Sequence, residues 1–323
     1  MNERVLVTGA AGFIGSHLTD KLLGLGREVV GFDDLSTGDK ANLTPAIQDS
    51  RFRLVEGDLC DSEATRRVLE CCEMIFHLAA DPEVRGGAEN PDSHFRRNLV
   101  ATYNLLEAAR KRGRPTRLVF ASTSTVYGEA SVIPTPEDYG PMLPISTYGA
   151  TKLGCEALTA SYTQLLPLQV VIFRFANVVG SRARHGVIYD FIMKLRKNPH
   201  ELEVLGDGTQ TKSYLHVQDC VDAFLTALDE RLWRNAVEIY NIGTEDRTDV
   251  MRIARIVTDA MGLKDVKVNT TQSAGGRAWP GDVKTMQVDI AKIKKLGWKP
   301  KRSSEEAVQA AARELLGELS SNR

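Results

Sequence analysis

Val5-Leu6-Val7-Thr8-Gly9-Ala10-Ala11-Gly12-Phe13-Ile14-Gly15 is the stretch that decides the fold. Its apolar run, with two valines, suits a buried parallel strand. Glycines follow at every third position, and behind them Ile14, Leu18, Leu22 and Leu23 fall at helical spacing. Strand, glycine turn and helix make the start of a βαβ unit. A turn glycine permits an unusual φ, a ligand-facing glycine lets the backbone approach a pyrophosphate, and the last lets helix and strand pack closely. The helix N-terminus then offers unpaired N–H groups and a positive dipole end to phosphates.

Outward from this unit the pattern repeats. Arg27 to Phe32 is a second apolar run ending in Asp33-Asp34. A carboxylate there is placed to accept from an adenosine ribose and repels a 2′-phosphate, so NAD is favoured over NADP. Asp33 is the better placed of the two; Asp34 caps the turn or faces water. Phe52 to Val55 is a third strand, after which Asp58 can accept from an adenine amino group while Leu59 packs on the ring. Met74 to Leu78 is a fourth, ending in Ala79-Ala80, small enough for a cofactor to cross. Phe95 to Arg112 reads as a helix carrying Asn98, and Leu118 to Ala121 as a fifth strand. Pro134 to Pro144 holds four prolines and must be a loop. Ser146 or Thr147 then caps a helix running to about Tyr162, and Gln169 to Phe173 is a sixth strand. Strands alternating with helices predict a doubly wound parallel sheet with ligands at the strand C-terminal ends.

The second half changes texture. Helices are expected over Val187–Leu195, Asp219–Leu228, Asp249–Met261 and Glu305–Leu316, with a short strand over Leu202–Leu205. This half reads as a smaller α/β lobe. With 323 residues, 42% hydrophobic and 26% charged, an ordinary globular protein is expected, as two lobes. Lys+Arg 41 against Asp+Glu 42 gives no field that would draw the chain to nucleic acid or anionic lipid. Five cysteines without C-x-x-C spacing predict reduced thiols in a cytoplasmic setting, with no zinc site. Six histidines show no metal spacing: His77 reads as a core residue and His216 as structural. Trp233 and Trp298 are expected at lobe surfaces. Neither a signal peptide nor a membrane span is expected.

Two stretches carry chemistry: Ala121 to Gly128 after a strand, and Tyr148-Gly149-Ala150-Thr151-Lys152 at a helix start. Tyr148 and Lys152, four apart, share one helix face. A tyrosine must drop about three pKa units, or about 4 kcal/mol, to act as a base near neutrality. Burial works against this. One ammonium at about 4 Å supplies about 4 kcal/mol at an effective dielectric near 20. On that reckoning Lys152 alone suffices, and a positive nicotinamide adds to it.

The chain resembles extended short-chain dehydrogenase/reductases acting on nucleotide sugars, most closely the UDP-glucose 4-epimerase group. The likeness rests on Thr8 to Gly15, His77 to Ala80, Ser122 to Gly128, Tyr148 to Lys152, Arg174 to Asn177, Tyr214 to Val217 and Pro280 to Asp282. It implies a Rossmann NAD domain over residues 1–174 plus about 218–243, and a nucleotide-sugar lobe over 175–217 and 244–323. Thr123, Tyr148 and Lys152 fall on the catalytic positions. The implied cofactor contacts are Gly9, Gly12, Phe13, Ile14, Gly15, Asp33, Asp34, Ser36, Gly38, Asp58, Leu59, Leu78, Ala79, Ala80, Asn98 and Ser122, besides Tyr148 and Lys152. The implied substrate contacts are Arg85, Thr123, Ser124, Tyr148, Asn177, Val187, Leu202, Val204, Lys212, Arg277 and Met286. Asn177 would bond the diphosphate, with Leu202 and Val204 near the base. A UDP-sugar partner and a homodimer through Phe95–Arg112 and Thr147–Tyr162 are implied too.

Subfamily follows from departures. The 4,6-dehydratases carry Asp-Glu after the catalytic Thr; here Ser124 and Thr125 stand there, which argues against dehydration and, less strongly, decarboxylation. What remains is reversible C4 epimerisation through a 4-keto sugar. Lys212 replaces an arginine and cannot form a bidentate fork. Trp279 stands where arginine is usual, and Arg277 can reach the same phosphates. Met286 lines the C2 side and disfavours an N-acetyl group. Arg85 and Arg182 could meet a uronic carboxylate. Glucose/galactose ranks first, with glucuronate or N-acetylglucosamine behind. A nucleotide-sugar reductase and a non-catalytic NAD sensor are the outside readings.

Overall fold

The computed structural model describes residues 4–271 and 274–321. The chain forms two compact units. The first comprises Met1–Val126, Ser146–Arg174 and Val221–Tyr240. The second comprises Tyr127–Ile145, Phe175–Cys220 and Asn241–Arg323. Residues 127–145, expected with the dinucleotide-binding lobe, therefore cluster with the second unit.

The first unit is built on β1 (Arg4–Thr8), α1 (Phe13–Gly24), β2 (Glu28–Asp33), β3 (Phe52–Glu56), α2 (Ser62–Leu69), β4 (Met74–His77), α3 (Ala101–Arg112), β5 (Thr116–Thr123), α4 (Thr147–Tyr162) and β6 (Leu168–Phe175). The sheet has seven strands, in the order Val237–Ile242, β6, β5, β4, β1, β2, β3. Pairing of β1 with β2 and β4, of β2 with β3 and of β4 with β5 is parallel. Val5, Leu6 and Val7 are fully buried, as a strand covered on both faces requires. One face buries Leu6, Ile75, Phe120 and Ile172 with Leu105, Cys155 and Tyr162 of the helices. Phe76 and Phe173, one residue out of phase with Ile75 and Ile172, meet Phe224 at 6.0 and 5.6 Å. The chain leaves β1 toward β2 on one side and is joined by β4 on the other, so a crevice opens at the C-terminal ends of β1 and β4.

Three local expectations need correction. The Phe95–Arg112 helix starts earlier, at Pro91, and its Phe95–Val100 stretch is π-helical before α3. The strand Val237–Ile242 was not expected, because Glu238 and Asn241 break the apolar run that marks a strand. The two tryptophans are buried, not superficial; Trp233 Nε1 donates to Ala227 O and Trp298 Nε1 to Asp219 O. Helix ends shift as well, to Val217–Leu225 with a 3-10 turn Thr226–Leu228, and to Ser304–Ser321.

The second unit joins short strands to longer helices. Asn177–Val179 pairs with Tyr214–His216, and Glu201–Val204 with Lys267–Thr270, both in parallel. Thr211–Lys212 lies between Thr248–Asp249 and Thr285–Met286. Helices Val187–Lys197 and Val250–Ala260 complete it with Ser304–Ser321. The proline-rich loop is held by bridges from Gly128 to Leu143 and from Thr135 to Val288.

Candidate active site

The glycine turn sits in the crevice. Gly9 has φ +70°, and a Cβ on it would lie 2.8 Å from Ala79 N, so the ends of β1 and β4 approach as closely as they do only without a side chain. A Cβ on Gly15 would lie 1.9 Å from Gly9 O. Gly12 caps α1 with no side-chain hydrogen bond, and the first turn holds no acidic residue. That leaves a helix N-terminus ready for an anion. Phe13 and Ile14 are half-buried beside it, as are Leu78, Ala79 and Ala80 at the end of β4.

Asp33 ends β2. Its Oδ2 accepts from Ala11 N at 2.9 Å and its Oδ1 from Leu35 N at 2.8 Å, fastening the strand end to the glycine turn. Burial raises its pKa, opposed by those backbone donors. Each oxygen keeps a lone pair for a further donor. Gly38 lies alongside, where a Cβ would be 3.0 Å from Asp33 Oδ1. Asp34 is exposed and accepts from Ser36 N at 3.0 Å and Ser36 Oγ at 2.6 Å, with the Arg97 guanidinium 3.6 Å away. Asp58 is exposed and accepts from Cys60 N. Leu59 is 4% exposed and belongs to the core.

The reactive groups converge from β5 and α4. Ser146 Oγ accepts from Gly149 N at 3.1 Å, so Ser146 is the cap and Thr147 the first helical residue. Tyr148 and Lys152 follow one turn apart. Lys152 is buried; its Nζ donates to Ala121 O at 2.7 Å and lies 4.6 Å from the Phe120 ring centroid. Two residues on, Thr123 Oγ1 is 3.0 Å from Thr125 Oγ1 and accepts from Thr125 N. Ser124 is buried next to it.

The electrostatics differ from the expectation in one respect. Burial raises the Tyr148 hydroxyl, and the charges of Cys155 and Asp81 act in the same direction. Burial also lowers Lys152 to about 8, opposed by Cys155 and Glu156. Neither burial nor the charges of Cys155 and Asp81 lower the Tyr148 hydroxyl, and the Lys152 ammonium is turned to the Ala121 carbonyl.

Asn98, in the π-helical stretch, is hydrogen-bonded at both ends of its amide: Oδ1 accepts from Asp81 N at 2.8 Å and Nδ2 donates to Thr151 Oγ1 at 3.2 Å. His77 is neutral; its Nδ1 and Nε2 meet Thr8 and Thr102 hydroxyls at 2.8 and 2.9 Å, and burial pushes it down to about 3. Arg85 is half-buried, 3.6 Å from Glu83.

Three side chains near this centre were missed. His94 is buried, meets Thr147 Oγ1 at 2.8 Å and Glu83 O at 3.1 Å, and packs edge-on to Tyr148 at 5.7 Å. Glu156 and Arg174 form a buried ion pair, Arg174 Nη2 to Glu156 Oε2 at 2.7 Å. Their signal was present: Glu156 stands one turn beyond Lys152, and Arg174 is a charge at the end of an apolar strand, which needs a partner.

In the second unit Lys212 Nζ bonds the buried Asp282 at 2.5 Å. Arg277 donates to Asp282 O at 2.6 Å and pairs with Glu129 at 2.5 Å, so the two cations are gathered on one carboxylate-bearing turn. Met286 is opposite Lys212 in strand register and is 9% exposed. Asn177 and Val187 are half-buried, at the start of a strand and of a helix. Leu202 and Val204 are fully buried, a correction to their place beside a base: strand alternation turns them inward and sends Glu201 and Glu203 out.

No helix among the described residues is long and apolar enough to cross a membrane, and no group of three or more His, Cys, Asp or Glu among them could hold a metal.

A glycine turn between β1 and α1, an acid after β2, hydroxyls after β5 and a Tyr-x-x-x-Lys helix head define an extended short-chain dehydrogenase/reductase. The chain belongs to the NAD dependent epimerase/dehydratase family, whose model matches residues 5–243. It is 34% identical to a UDP-glucose 4-epimerase of Mycolicibacterium smegmatis over 311 residues, 94% of this chain and 96% of that one. A crystal structure of a UDP-galactose 4-epimerase is 44% identical with a TM-score of 0.87, over 98% and 99% of the two chains. The UDP-glucuronic acid 4-epimerase of Bacillus cereus, in complex with UDP-glucuronic acid and NAD, is 30% identical with a TM-score of 0.88, over 98% and 99%.

Proposed function

We propose that this protein epimerises a UDP-sugar at C4, UDP-glucose and UDP-galactose being the pair, with NAD as resident cofactor. The observation that carries the reading is the Tyr148–Lys152 pair at the head of α4, its lysine bonded to the strand that ends in Thr123. The glycine cradle fits the cofactor: Gly9 and Gly15 sit where a Cβ would collide with backbone, and α1 starts without a capping side chain or an acid. Gly12 to Gly15 would hold the pyrophosphate and Asp33 the adenosine ribose, with Asp34, Ser36, Gly38, Asp58 and Ala79-Ala80 around it.

When bound, NAD supplies a hydride acceptor and donor and a positive ring. Tyr148 takes the C4 hydroxyl proton and later returns it, while Thr123 shares a hydrogen bond with the sugar oxygen. Lys152 keeps a positive charge beneath the tyrosine. Asn177, Lys212 and Arg277 hold the diphosphate while the keto sugar turns its other face. Ser124 and Thr125 offer no acid for elimination, which supports epimerisation over dehydration. The 44% identity with a UDP-galactose 4-epimerase and the bulk of Met286 favour glucose/galactose. Arg85, next to Glu83, is a weaker argument for glucuronate. The exposed Phe95 and Tyr103 support a homodimer through residues 95–112 and α4, and five unpaired cysteines fit a cytoplasmic setting.

The test is to mix purified protein with UDP-galactose, adding no cofactor, and follow UDP-glucose by NMR. Conversion that Tyr148→Phe abolishes, with NAD still bound, is the expected result. Silence with and without added NAD, on UDP-glucuronate and UDP-N-acetylglucosamine as well, refutes the assignment.

A further inference from the structure

We propose that the buried Glu156–Arg174 pair is a positioning device that fixes α4 on the ends of β5 and β6, and so sets Tyr148 and Lys152 against Thr123. The proposal rests on the catalytic reading of those three residues. Glu156 lies one turn beyond Lys152 and two beyond Tyr148, on the same helix face. Its carboxylate accepts from Ser122 Oγ and from Arg174 Nε at 3.0 Å and Nη2 at 2.7 Å. Ser122 stands between Ala121, whose carbonyl receives Lys152, and Thr123. Arg174 stands one residue before the end of β6, which neighbours β5 in the sheet. One carboxylate thus joins a helix and two strands at the level of the reacting groups.

A device of this kind is poorly explained by stability. Ser122, Glu156 and Arg174 are 3%, 4% and 2% exposed, so both charges have lost their hydration. Well-packed apolar residues in place of a buried ion pair are often neutral or stabilising. The pair gives direction instead: a fork of donors meets one carboxylate in one geometry, whereas leucine packing tolerates sliding of the helix. Displacements of about 1 Å in a catalytic constellation cost about 100-fold in rate.

Glu156 has an electrostatic share too. The groups acting on Lys152 are Cys155 and Glu156 on its own helix and His77 on β4, with the Ala121 carbonyl and the Phe120 ring of β5 beside its ammonium. His77 is neutral, and Glu156 acts to keep the lysine protonated against burial. Removing its charge takes away the ion pair with Arg174 and makes the ammonium less favourable.

The experiment compares Glu156→Gln, the charge-neutral Glu156→Gln/Arg174→Met double variant and Tyr148→Phe with wild type. It reads kcat and KM for UDP-galactose, the pH profile of kcat, bound NAD and thermal unfolding. Glu156→Gln is expected to lose at least about 10-fold in kcat with KM within about 3-fold. Its alkaline limb should move down by about one pH unit, and Glu156→Asp should restore that limb. Should the single variant not fold, the double variant decides: it removes both members of the pair, and it should fold, bind NAD and still lose kcat. Wild-type kcat and pH limb in folded Glu156→Gln, or wild-type kcat in the double variant, overturns the proposal. Turnover retained by Tyr148→Phe instead overturns the catalytic reading beneath it.

Discussion

Replacing Lys152 by methionine should stabilise the fold at neutral pH while destroying the activity. The lysine is buried, and its pKa falls from 10.5 to about 8. A shift of about 2.5 units corresponds to about 3 kcal/mol. The unfolded chain keeps this lysine protonated up to pH 10.5, whereas the folded chain releases the proton above about 8. Between those values the unfolded state binds more protons, so stability rises with pH there; below 8 the whole cost of the buried ammonium is present. Methionine removes that cost, fills similar volume, and forfeits the bond to Ala121 O, worth about 1 kcal/mol. The net expectation is a gain of about 2 kcal/mol at pH 7.

Thermal unfolding of nucleotide-stripped wild type and variant, at pH 7 and pH 10, reads this directly; stripping keeps altered cofactor affinity out of the comparison. The advantage of the variant should be largest at pH 7 and shrink as pH rises through the window from 8 to 10.5. Other titrating groups are shared by both proteins and cancel in the difference. A variant less stable at pH 7, or an advantage that does not change with pH, refutes the account of Lys152 as a charge held at a cost for function.

Two further perturbations act on the cofactor cradle. Gly15→Ala sets a Cβ 1.9 Å from Gly9 O, a backbone atom that cannot step aside, so bound NAD per chain should fall below a tenth of wild type; a stoichiometric complex would remove the cradle argument. Asp33→Ala takes away both the acceptor for Ala11 N and Leu35 N and the negative charge that meets a 2′-phosphate. The preference for NAD over NADP, measured as a ratio of dissociation constants, should drop by at least about 10-fold, and an unchanged ratio would unseat the ribose assignment.

What the sequence disclosed and what it hid divide along a physical line. The sheet was legible because its strands are buried on both faces, so Val5–Val7 and Val170–Phe173 read as unbroken apolar runs. The strand Val237–Ile242 sits at the sheet edge, where Glu238 need not be apolar, and periodicity passed over it. The Tyr148–Lys152 pair and the hydroxyl-bearing stretch around Thr123 were legible because residue type and local spacing lie together in the sequence. The surroundings of that site were not, since they depend on contacts far apart in sequence: His94 with Thr147, Ser122 with Glu156, Glu156 with Arg174. The same distinction applies to Lys152. Spacing put it on the face of Tyr148, but only the fold could show its ammonium bonded to the Ala121 carbonyl and depleted of solvent. Burial raises the Tyr148 hydroxyl and lowers Lys152, so both shifts favour the neutral forms. On the proposed reading, a positive nicotinamide beside Tyr148 would supply what the protein's own charges do not, and proton transfer there would depend on the oxidised cofactor.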